Sequence, residues 1–262
     1  MDEEILPRRG ETVDPILDGR LRIIQKKSGY RFSIDALLLA HFTILQEGDD
    51  LIDLGTGSGI VALILAQRFG CGRVLGIEIQ EDLAETARRN VLLNGLDGRI
   101  EIRRGDVRCP ECLCEPQSFS AAVCNPPYRR LRSGRTNPDP ERAVARHEIA
   151  GTVGDFMAAA VHALRPKGRF RLIYPATRTV QLLTKMRDRR VEPKRLRMVH
   201  SRPGDSAAFV LVEGVKGGRE GLSVLRPLFI REEAGGYTRE MAEILSDLWV
   251  YPARGGGRSL RS

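Results

Sequence analysis

The composition of this 262-residue chain excludes several classes of protein. With 42% hydrophobic and 29% charged residues, it suits one large α/β domain, or one domain with a small appendage. It has no apolar run of about 18 residues, and its start, MDEEILPRRGETVD, lacks the layout of a signal peptide, so we expect a cytoplasmic protein without a membrane segment. The net charge of +8 permits a polyanionic partner without proving one.

Strand-like and helix-like segments alternate along the chain. The pattern predicts a short hairpin around KKSG, from residues 21–24 to 30–32, and then a helix at 34–45 with Ser33 as its N-cap. Further strands are predicted at 50–54, 73–77, 100–103, 120–124, 169–173, 197–200, 207–213 and 222–228. Further helices are predicted at 60–69, 81–93, 154–164 and 177–187. This alternation favours a mostly parallel sheet with helices on both faces.

We divide the chain into three parts on this basis. Residues 1–32 form an N-terminal segment with the hairpin, and residues 33–250 form the main domain. Residues 251–262 are a basic tail, which we expect to be disordered because it is too polar and glycine-rich to pack.

The stretch DDLIDLGTGSGIVALILA predicts a nucleotide-binding corner. A hydrophobic strand runs into the glycine turn, residues 55–59, and a helix follows. Glycines allow a sharp turn and a close approach of ligand to backbone, and free N–H groups at a helix start favour electronegative ligand groups. Glu78 ends the next strand, where an acid commonly accepts hydrogen bonds from ribose hydroxyls.

The spacing of the glycines and one nearby acid indicate which nucleotide binds. The turn is G-x-G-x-G, whereas dinucleotide sites normally have G-x-G-x-x-G. Asp53 stands two residues before the first glycine, where a carboxylate would repel a pyrophosphate but attract a cationic ligand. S-adenosylmethionine carries an ammonium and a sulfonium, and it fits this corner.

A second motif, Asn125-Pro126-Pro127-Tyr128, ends the strand predicted at 120–124. Two consecutive prolines cannot donate backbone hydrogen bonds and therefore stop the strand. The side-chain oxygen of Asn125 and the carbonyl of Pro126 can both accept hydrogen bonds from an NH2 group. The ring of Tyr128 can stack on an exposed base.

Together, DLGTGSG, GIEI, GDV and NPPY resemble the class I S-adenosylmethionine-dependent methyltransferases of the NPPY type. The resemblance implies a Rossmann-like, seven-stranded, mostly parallel sheet with a reversed last hairpin. It also implies that Asn125, Pro126 and Tyr128 act on a planar nitrogen, with Asn125 close to the cofactor. The implied cofactor residues lie along the methionine end (Asp53, Gly55, Thr56 and Gly57), at the ribose (Glu78) and at the adenine (Asp106 and Val107).

The flanking sequences resemble a narrower group. YRFSIDALLLAHF and ARHEIAGTVGDFMAAAVHALRPKGRFRLIYPA are similar to the bacterial methyltransferases that modify the N6 amine of adenine in valine tRNA, next to the anticodon. This resemblance implies that Phe32 and Ser33 approach the methionine end and the target pocket. A buried strand end followed by a helix cap explains these two residues equally well.

A basic segment follows the NPPY motif and is a candidate for contact with RNA. Residues 129–146 hold six arginines against Asp139 and Glu141, and we expect phosphate contacts from Arg129, Arg130, Arg132 and Arg135. A second basic run at 185–197 can equally be a solvated face.

The three clustered cysteines do not predict a metal centre. Cys109, Cys112 and Cys114 form C-x-x-C-x-C, whereas a structural zinc site needs four ligands, usually in two separated pairs. We therefore expect no metal.

The sequence as a whole predicts a methyltransferase acting on adenine N6 in tRNA. Two alternatives remain open. One is methylation of a protein glutamine amide, although the familiar enzymes of that kind carry a helical domain before the catalytic one. The other is a cofactor-dependent RNA-binding protein without turnover.

Overall fold

Strands and helices alternate through the part of the chain described by this computed structural model, which is residues 7–17, 19–27, 33–127 and 151–247. The strands are β1 (Glu11–Ile16), β2 (Leu21–Lys26), β3 (Leu51–Leu54), β4 (Val74–Glu78), β5 (Ile100–Arg104), β6 (Phe119–Cys124), β7 (Leu164–Pro175), β8 (Val191–His200), β9 (Ala207–Lys216), β10 (Ser223–Val224) and β11 (Leu228–Phe229). The helices are α1 (Ile34–Phe42), α2 (Ile60–Arg68), α3 (Glu81–Leu93), α4 (Val153–Ala163), α5 (Thr179–Asp188) and α6 (Arg239–Asp247).

Seven of these strands form the body of one sheet in the order β5-β4-β3-β6-β7-β9-β8. Strands β3 to β7 are parallel to one another, whereas β9 runs antiparallel to both β7 and β8. The two-residue strands β10 and β11 add to the outer edge of β8. This arrangement confirms the predicted Rossmann-like fold and its reversed last hairpin.

The centre of the sheet is buried on both faces because β3, β4 and β6 are mostly apolar. Successive side chains of a strand point to opposite faces, so Leu51 belongs to one hydrophobic cluster and Ile52 to the other. Buried residues of α2 and α3 pack in the first cluster, and buried residues of α4 and α5 pack in the second. The parallel strands are therefore fixed relative to one another along the strand direction, so their carboxyl ends lie at the same edge of the sheet.

The N-terminal hairpin differs from the prediction. The predicted strand at 21–24 is present as part of β2, but it pairs with β1, a strand that the sequence did not indicate. Strand β1 reads ETVDPI, and its acids and proline resemble a loop more than a strand. The other predicted half, 30–32, and the tail at 251–262 lie outside the described residues.

Polar side chains of α3 hold this hairpin in place. The Asn90 amide accepts a hydrogen bond from Ile24 N at 2.6 Å and donates to Ile24 O and to Ser58 O, at 3.2 and 2.9 Å. Arg89 forms a buried ion pair with Glu11 at 2.9 Å. The same helix therefore joins β2 to the glycine turn.

The C-terminal part also differs from the prediction. The single strand predicted at 222–228 is two short strands, because Pro227 lies just before β11 and cannot donate to a ladder. Helix α6 was not predicted. No helix in the described ranges is long and apolar enough to cross a membrane.

Candidate active site

The carboxyl ends of β3, β4 and β6 lie at one edge of the sheet, where ligands bind in folds of this type. A cavity of about 180 Å³ opens there. Of the residues predicted from the sequence, five line it: Gly55, Gly57, Glu78, Val107 and Asn125. The structure thus brings together residues from the glycine turn, from β4 and from the loop after β6.

The glycine turn follows β3 and requires a glycine at its first position. Gly55 has φ +74°, in the left-handed region that favours glycine. A Cβ atom added to Gly55 would lie 2.9 Å from Cε1 of Phe156. The N–H of Gly55 donates a hydrogen bond to Ile77 O at 2.8 Å, which ties the turn to β4. The turn is therefore packed directly between α4 and the neighbouring strand.

Glu78 ends β4 and faces the turn. Its Oε2 accepts a hydrogen bond from Gly57 N at 3.0 Å, and its Oε1 accepts one from Gln80 N at 2.9 Å. Burial raises the pKa of Glu78, and these hydrogen bonds act in the opposite direction. Each carboxylate oxygen keeps a further lone pair, so Glu78 can accept hydrogen bonds from two ligand hydroxyls while it holds the turn.

Asp53 lies beneath the turn and does not line the cavity. Its Oδ2 accepts a hydrogen bond from Thr56 Oγ1 at 2.6 Å, and only 2% of the residue is exposed. Burial raises the pKa of Asp53 to about 7, against the opposing hydrogen bonds from Thr56 and from the backbone of Ala62. Asp53 thus supports the glycine turn from below, together with Thr56, and its predicted contact with the cofactor stays a prediction.

An apolar slot forms the other side of the cavity. Ile79 and Leu83 line it together with Val107, and all three offer aliphatic surface against which a flat ring can pack. The predicted neighbour Asp106 is turned away, since its Oδ2 pairs with Arg108 Nη2 at 2.6 Å and this hydrogen bond lowers the pKa of Asp106. Asp106 does not line the cavity.

The NPPY corner reaches the same cavity. Asn125 is half-buried, directly after the buried end of β6, and it lines the cavity together with Pro127. Pro126 is buried and is not part of the lining. Asn125 and Pro127 are therefore the described residues of the NPPY motif that border the pocket shared with Glu78.

Several predicted residues lie elsewhere or outside the described part. Ser33 is the N-cap of α1, but its side chain makes no capping hydrogen bond, and it does not line the cavity. Phe32, Tyr128 and the predicted arginines lie outside the described residues, and their roles stay predictions: Arg129, Arg130, Arg132 and Arg135.

Sequence reasoning missed Phe156, which lines the cavity from α4. Phe156 is 2% exposed, and its ring occupies the space that a side chain on Gly55 would need. The residue belongs to an ordinary apolar helix, and no local pattern distinguishes it from core residues. Ile79 and Gln80, directly after Glu78, could have been inferred from their position at the strand end.

The structure joins Cys109 and Cys112 by a disulfide and leaves Cys114 free. Together with Glu111, these two cysteines form a group of potential metal ligands whose donor atoms lie within 4.8 Å of one another. The expected absence of a metal stays a prediction.

Comparison with known proteins agrees with this geometry. Residues 51–146, which span the glycine turn, Glu78 and the NPPY motif, match the family model described as a methyltransferase domain. This part of the chain is therefore similar to a methyltransferase domain. The match ends at residue 146, so the matched region contains every cavity-lining residue predicted from the sequence.

Curated proteins similar to this chain include several that share one name. A tRNA1(Val) (adenine(37)-N6)-methyltransferase of Porphyromonas gingivalis is 37% identical over 164 residues, which are 62% of this chain and 64% of that protein. A protein of the same name from Bacteroides thetaiotaomicron is 28% identical over 187 residues, 71% of this chain and 77% of that one. The chain thus spans slightly less than two thirds of the length of the Porphyromonas relative.

Solved structures match the fold of this chain. A predicted O-methyltransferase from Agrobacterium tumefaciens superposes with a TM-score of 0.67 and 23% identity, covering 85% of this chain and 100% of that one. An S-adenosylmethionine-dependent O-methyltransferase from Thermotoga maritima gives a TM-score of 0.50 and 24% identity, covering 74% and 69%. These comparisons confirm the predicted resemblance and the fold class.

Proposed function

We propose that this protein transfers a methyl group from S-adenosylmethionine to the N6 amine of an adenine in tRNA. One observation carries the proposal: Asn125 of the NPPY motif lines the same cavity as Glu78 and the glycine turn. An amine-binding group and a nucleoside-binding group therefore border one space. A tRNA substrate would also place the protein in the cytoplasm.

The chemistry of the cavity suits S-adenosylmethionine. Glu78 would hold the ribose hydroxyls through its remaining lone pairs. Ile79, Leu83 and Val107 would hold the adenine ring by apolar contact. The glycine turn leaves room for the methionine end, and the buried carboxyl of Asp53 would become easier to ionise beside an ammonium group. When bound, the cofactor supplies an activated methyl group.

The residues at the corner would position and activate the target amine. An exocyclic amine on a base is a poor nucleophile because its lone pair is delocalised into the ring. The Asn125 side-chain oxygen and the Pro126 carbonyl would accept hydrogen bonds from both N–H groups and favour the pyramidal form, in which the lone pair is free. The two prolines fix the directions of these acceptors, and Tyr128 would stack on the base.

The choice of tRNA rests on two supporting observations. The curated relatives named above act on tRNA adenine according to their names. The segment after Tyr128 is rich in arginine, the side chain best suited to phosphate contacts. The same corner chemistry would also serve a glutamine amide, so the substrate class needs a direct test.

Single-turnover methyl transfer to tRNA tests the proposal, with nucleoside mass spectrometry to identify the product. Asn125→Ala should slow the step by about 100-fold or more, with cofactor affinity nearly unchanged, because the lost acceptor matters most as the amine becomes pyramidal. Tyr128→Ala should weaken capture of the base, and its matched control Tyr128→Phe should keep most of the activity because the ring is what stacks.

The outcomes separate the alternatives. A near-normal rate with Asn125→Ala would exclude this mechanism. Transfer to a glutamine-containing protein but not to tRNA would assign the amide substrate, and cofactor binding without transfer to either would assign a non-catalytic RNA-binding protein.

A further inference from the structure

A second, larger cavity of about 640 Å³ lies at the opposite edge of the sheet, at the amino ends of β3, β6 and β7. Ser120, near the start of β6, lines this cavity, whereas Asn125, just after the end of the same strand, lines the first one. Five residues of strand separate the two positions by roughly 17 Å, at about 3.3 Å per residue. The second cavity is therefore separate from the candidate active site.

The lining of this cavity is strongly basic. It contains five basic side chains and two acidic ones. The basic residues are Arg165, Lys167, Arg169, Arg171 and Arg195, and the acidic ones are Asp49 and Glu213. The lining thus carries a formal excess of three positive charges, which favours an anion and repels a cation.

The register of the sheet concentrates this charge at one point. Glu213 of β9 pairs with Arg171 of β7 on one side and with Arg195 of β8 on the other. Its carboxylate lies 2.6 Å from Arg171 Nε, 2.9 Å from Arg169 Nη1 and 3.7 Å from Arg195 Nη1. Three guanidinium groups therefore share one buried carboxylate, and two positive charges are left over.

Arg171 is the least satisfied member of the cluster. Its side chain is 2% exposed, and its Nη2 donates to Ile44 O at 2.7 Å. Its Nη1 is buried and has no hydrogen-bond partner among the described residues. A buried charged donor without an acceptor is costly, so the cluster is incomplete without a further acceptor.

The acidic groups nearby do not supply that acceptor. Each carboxylate oxygen of Asp49 accepts one hydrogen bond, from Gln46 N at 2.8 Å and from Ser120 Oγ at 2.7 Å, and neither accepts one from Arg171 Nη1. Asp50 pairs with Arg165 at 2.9 Å. Asp49 lowers the positive potential of the cavity but leaves the donors of the arginine cluster in excess.

We propose that this cavity is a binding site for a phosphate group. A phosphate offers several acceptor oxygens and no obligatory donor, and its geometry matches the forked donors of arginine. Arg169 and Arg195 are partly exposed, with side chains 50% and 29% accessible, so they can receive a ligand from solvent. S-adenosylmethionine carries no phosphate and would not compete for this site.

Calorimetry of the full chain with inorganic phosphate, at ionic strength held constant with sodium chloride, tests the proposal. We expect saturable binding of one phosphate per chain. Arg195→Gln should weaken it by about tenfold or more, because one charge-assisted contact is lost. Arg169→Gln should act in the same direction and serves as a second variant if the first does not fold. The matched control is Arg187→Gln on α5, which removes an equally charged, exposed side chain outside the cavity.

The results have distinct meanings. Absence of saturable phosphate binding, or an equal loss of affinity in Arg187→Gln, would overturn the proposal. An RNA oligonucleotide without terminal phosphates identifies the source: competition that Arg195→Gln abolishes assigns the site to the RNA backbone, and absence of competition assigns it to a free phosphate. Affinity for S-adenosylmethionine should be unchanged in Arg195→Gln, so this proposal and the proposed function can fail independently.

Discussion

Asp53→Asn should make the cofactor-free protein more stable at alkaline pH. The carboxyl of Asp53 is buried beneath the glycine turn, and burial raises its pKa from the ordinary 3.8 to about 7. The folded protein therefore binds a proton that the unfolded chain has already lost. This contribution to stability is present at low pH and is lost as the pH rises through 7. Asparagine resembles the protonated acid in shape, offers a carbonyl acceptor beside an NH2 donor group, and has no charge to bury.

The size of the effect follows from the shift. A rise of about three pKa units corresponds to about 4 kcal/mol, at about 1.4 kcal/mol per unit. At pH 5 the folded acid is protonated and the unfolded one is largely ionised. Roughly 2 kcal/mol of the loss of stability that Asp53 causes is therefore already present at that pH. Between pH 5 and pH 8, the stability of the variant relative to the natural protein should rise by roughly 2 to 3 kcal/mol, which is the part of that loss not yet present at pH 5.

Urea unfolding of both proteins at the two pH values measures this difference. Asp82→Asn, an exposed change on α3, is the matched control and should show no comparable dependence. If the stability of Asp53→Asn relative to the natural protein is the same at pH 5 and pH 8, burial does not penalise the Asp53 carboxylate and the reasoning fails.

Three further predictions concern the cofactor, the turn and the RNA. Glu78→Ala should weaken S-adenosylmethionine binding by about 1–3 kcal/mol in calorimetry, and unchanged affinity in a folded variant would remove Glu78 from the site. Gly55→Ala should lower the free energy of unfolding by about 1–3 kcal/mol, because it combines a left-handed φ with a clash against Phe156. Adding Phe156→Leu should recover part of this loss, and the absence of any recovery would refute the clash. Replacing four arginines by glutamine should weaken tRNA binding and reduce its salt slope by about three, with cofactor affinity unchanged; an unaltered slope would mean that they do not contact phosphates. These four are Arg129, Arg130, Arg132 and Arg135.

The sequence predicted the main sheet and the core of the candidate site because their signals are local. Each short apolar strand ends at the functional residue or is followed directly by it, as with Gly55, Glu78 and Asn125. In a parallel sheet all such positions meet at the carboxyl edge, so local order along the chain was enough to predict their proximity. The structure adds that Asp53 and Asp106 are engaged with Thr56 and Arg108 and lie outside the cavity lining.

The features that the sequence did not reveal depend on contacts between distant segments. Phe156 reaches the cavity only because α4 packs across the end of β3. The second cavity depends on the register of three strands, which places Glu213 between Arg171 and Arg195. In the sequence these residues are ordinary charged positions in strands, and nothing in their spacing shows that they share one face.

The hydrogen bonds of Asn90 make the β1–β2 hairpin a structural part of the domain that follows it. A shortened protein beginning at Ser33 looks reasonable from the sequence, since it would start directly before α1. It would remove Glu11 from Arg89 and the backbone of Ile24 from Asn90, two side chains that are buried in the intact protein. Because the same Asn90 amide holds Ser58 of the glycine turn, trimming the N-terminus should loosen the pocket some distance away. Versions of the chain made for crystallisation or for transplanting the site should therefore keep the hairpin, and a trimmed protein with full cofactor affinity would show that it is dispensable.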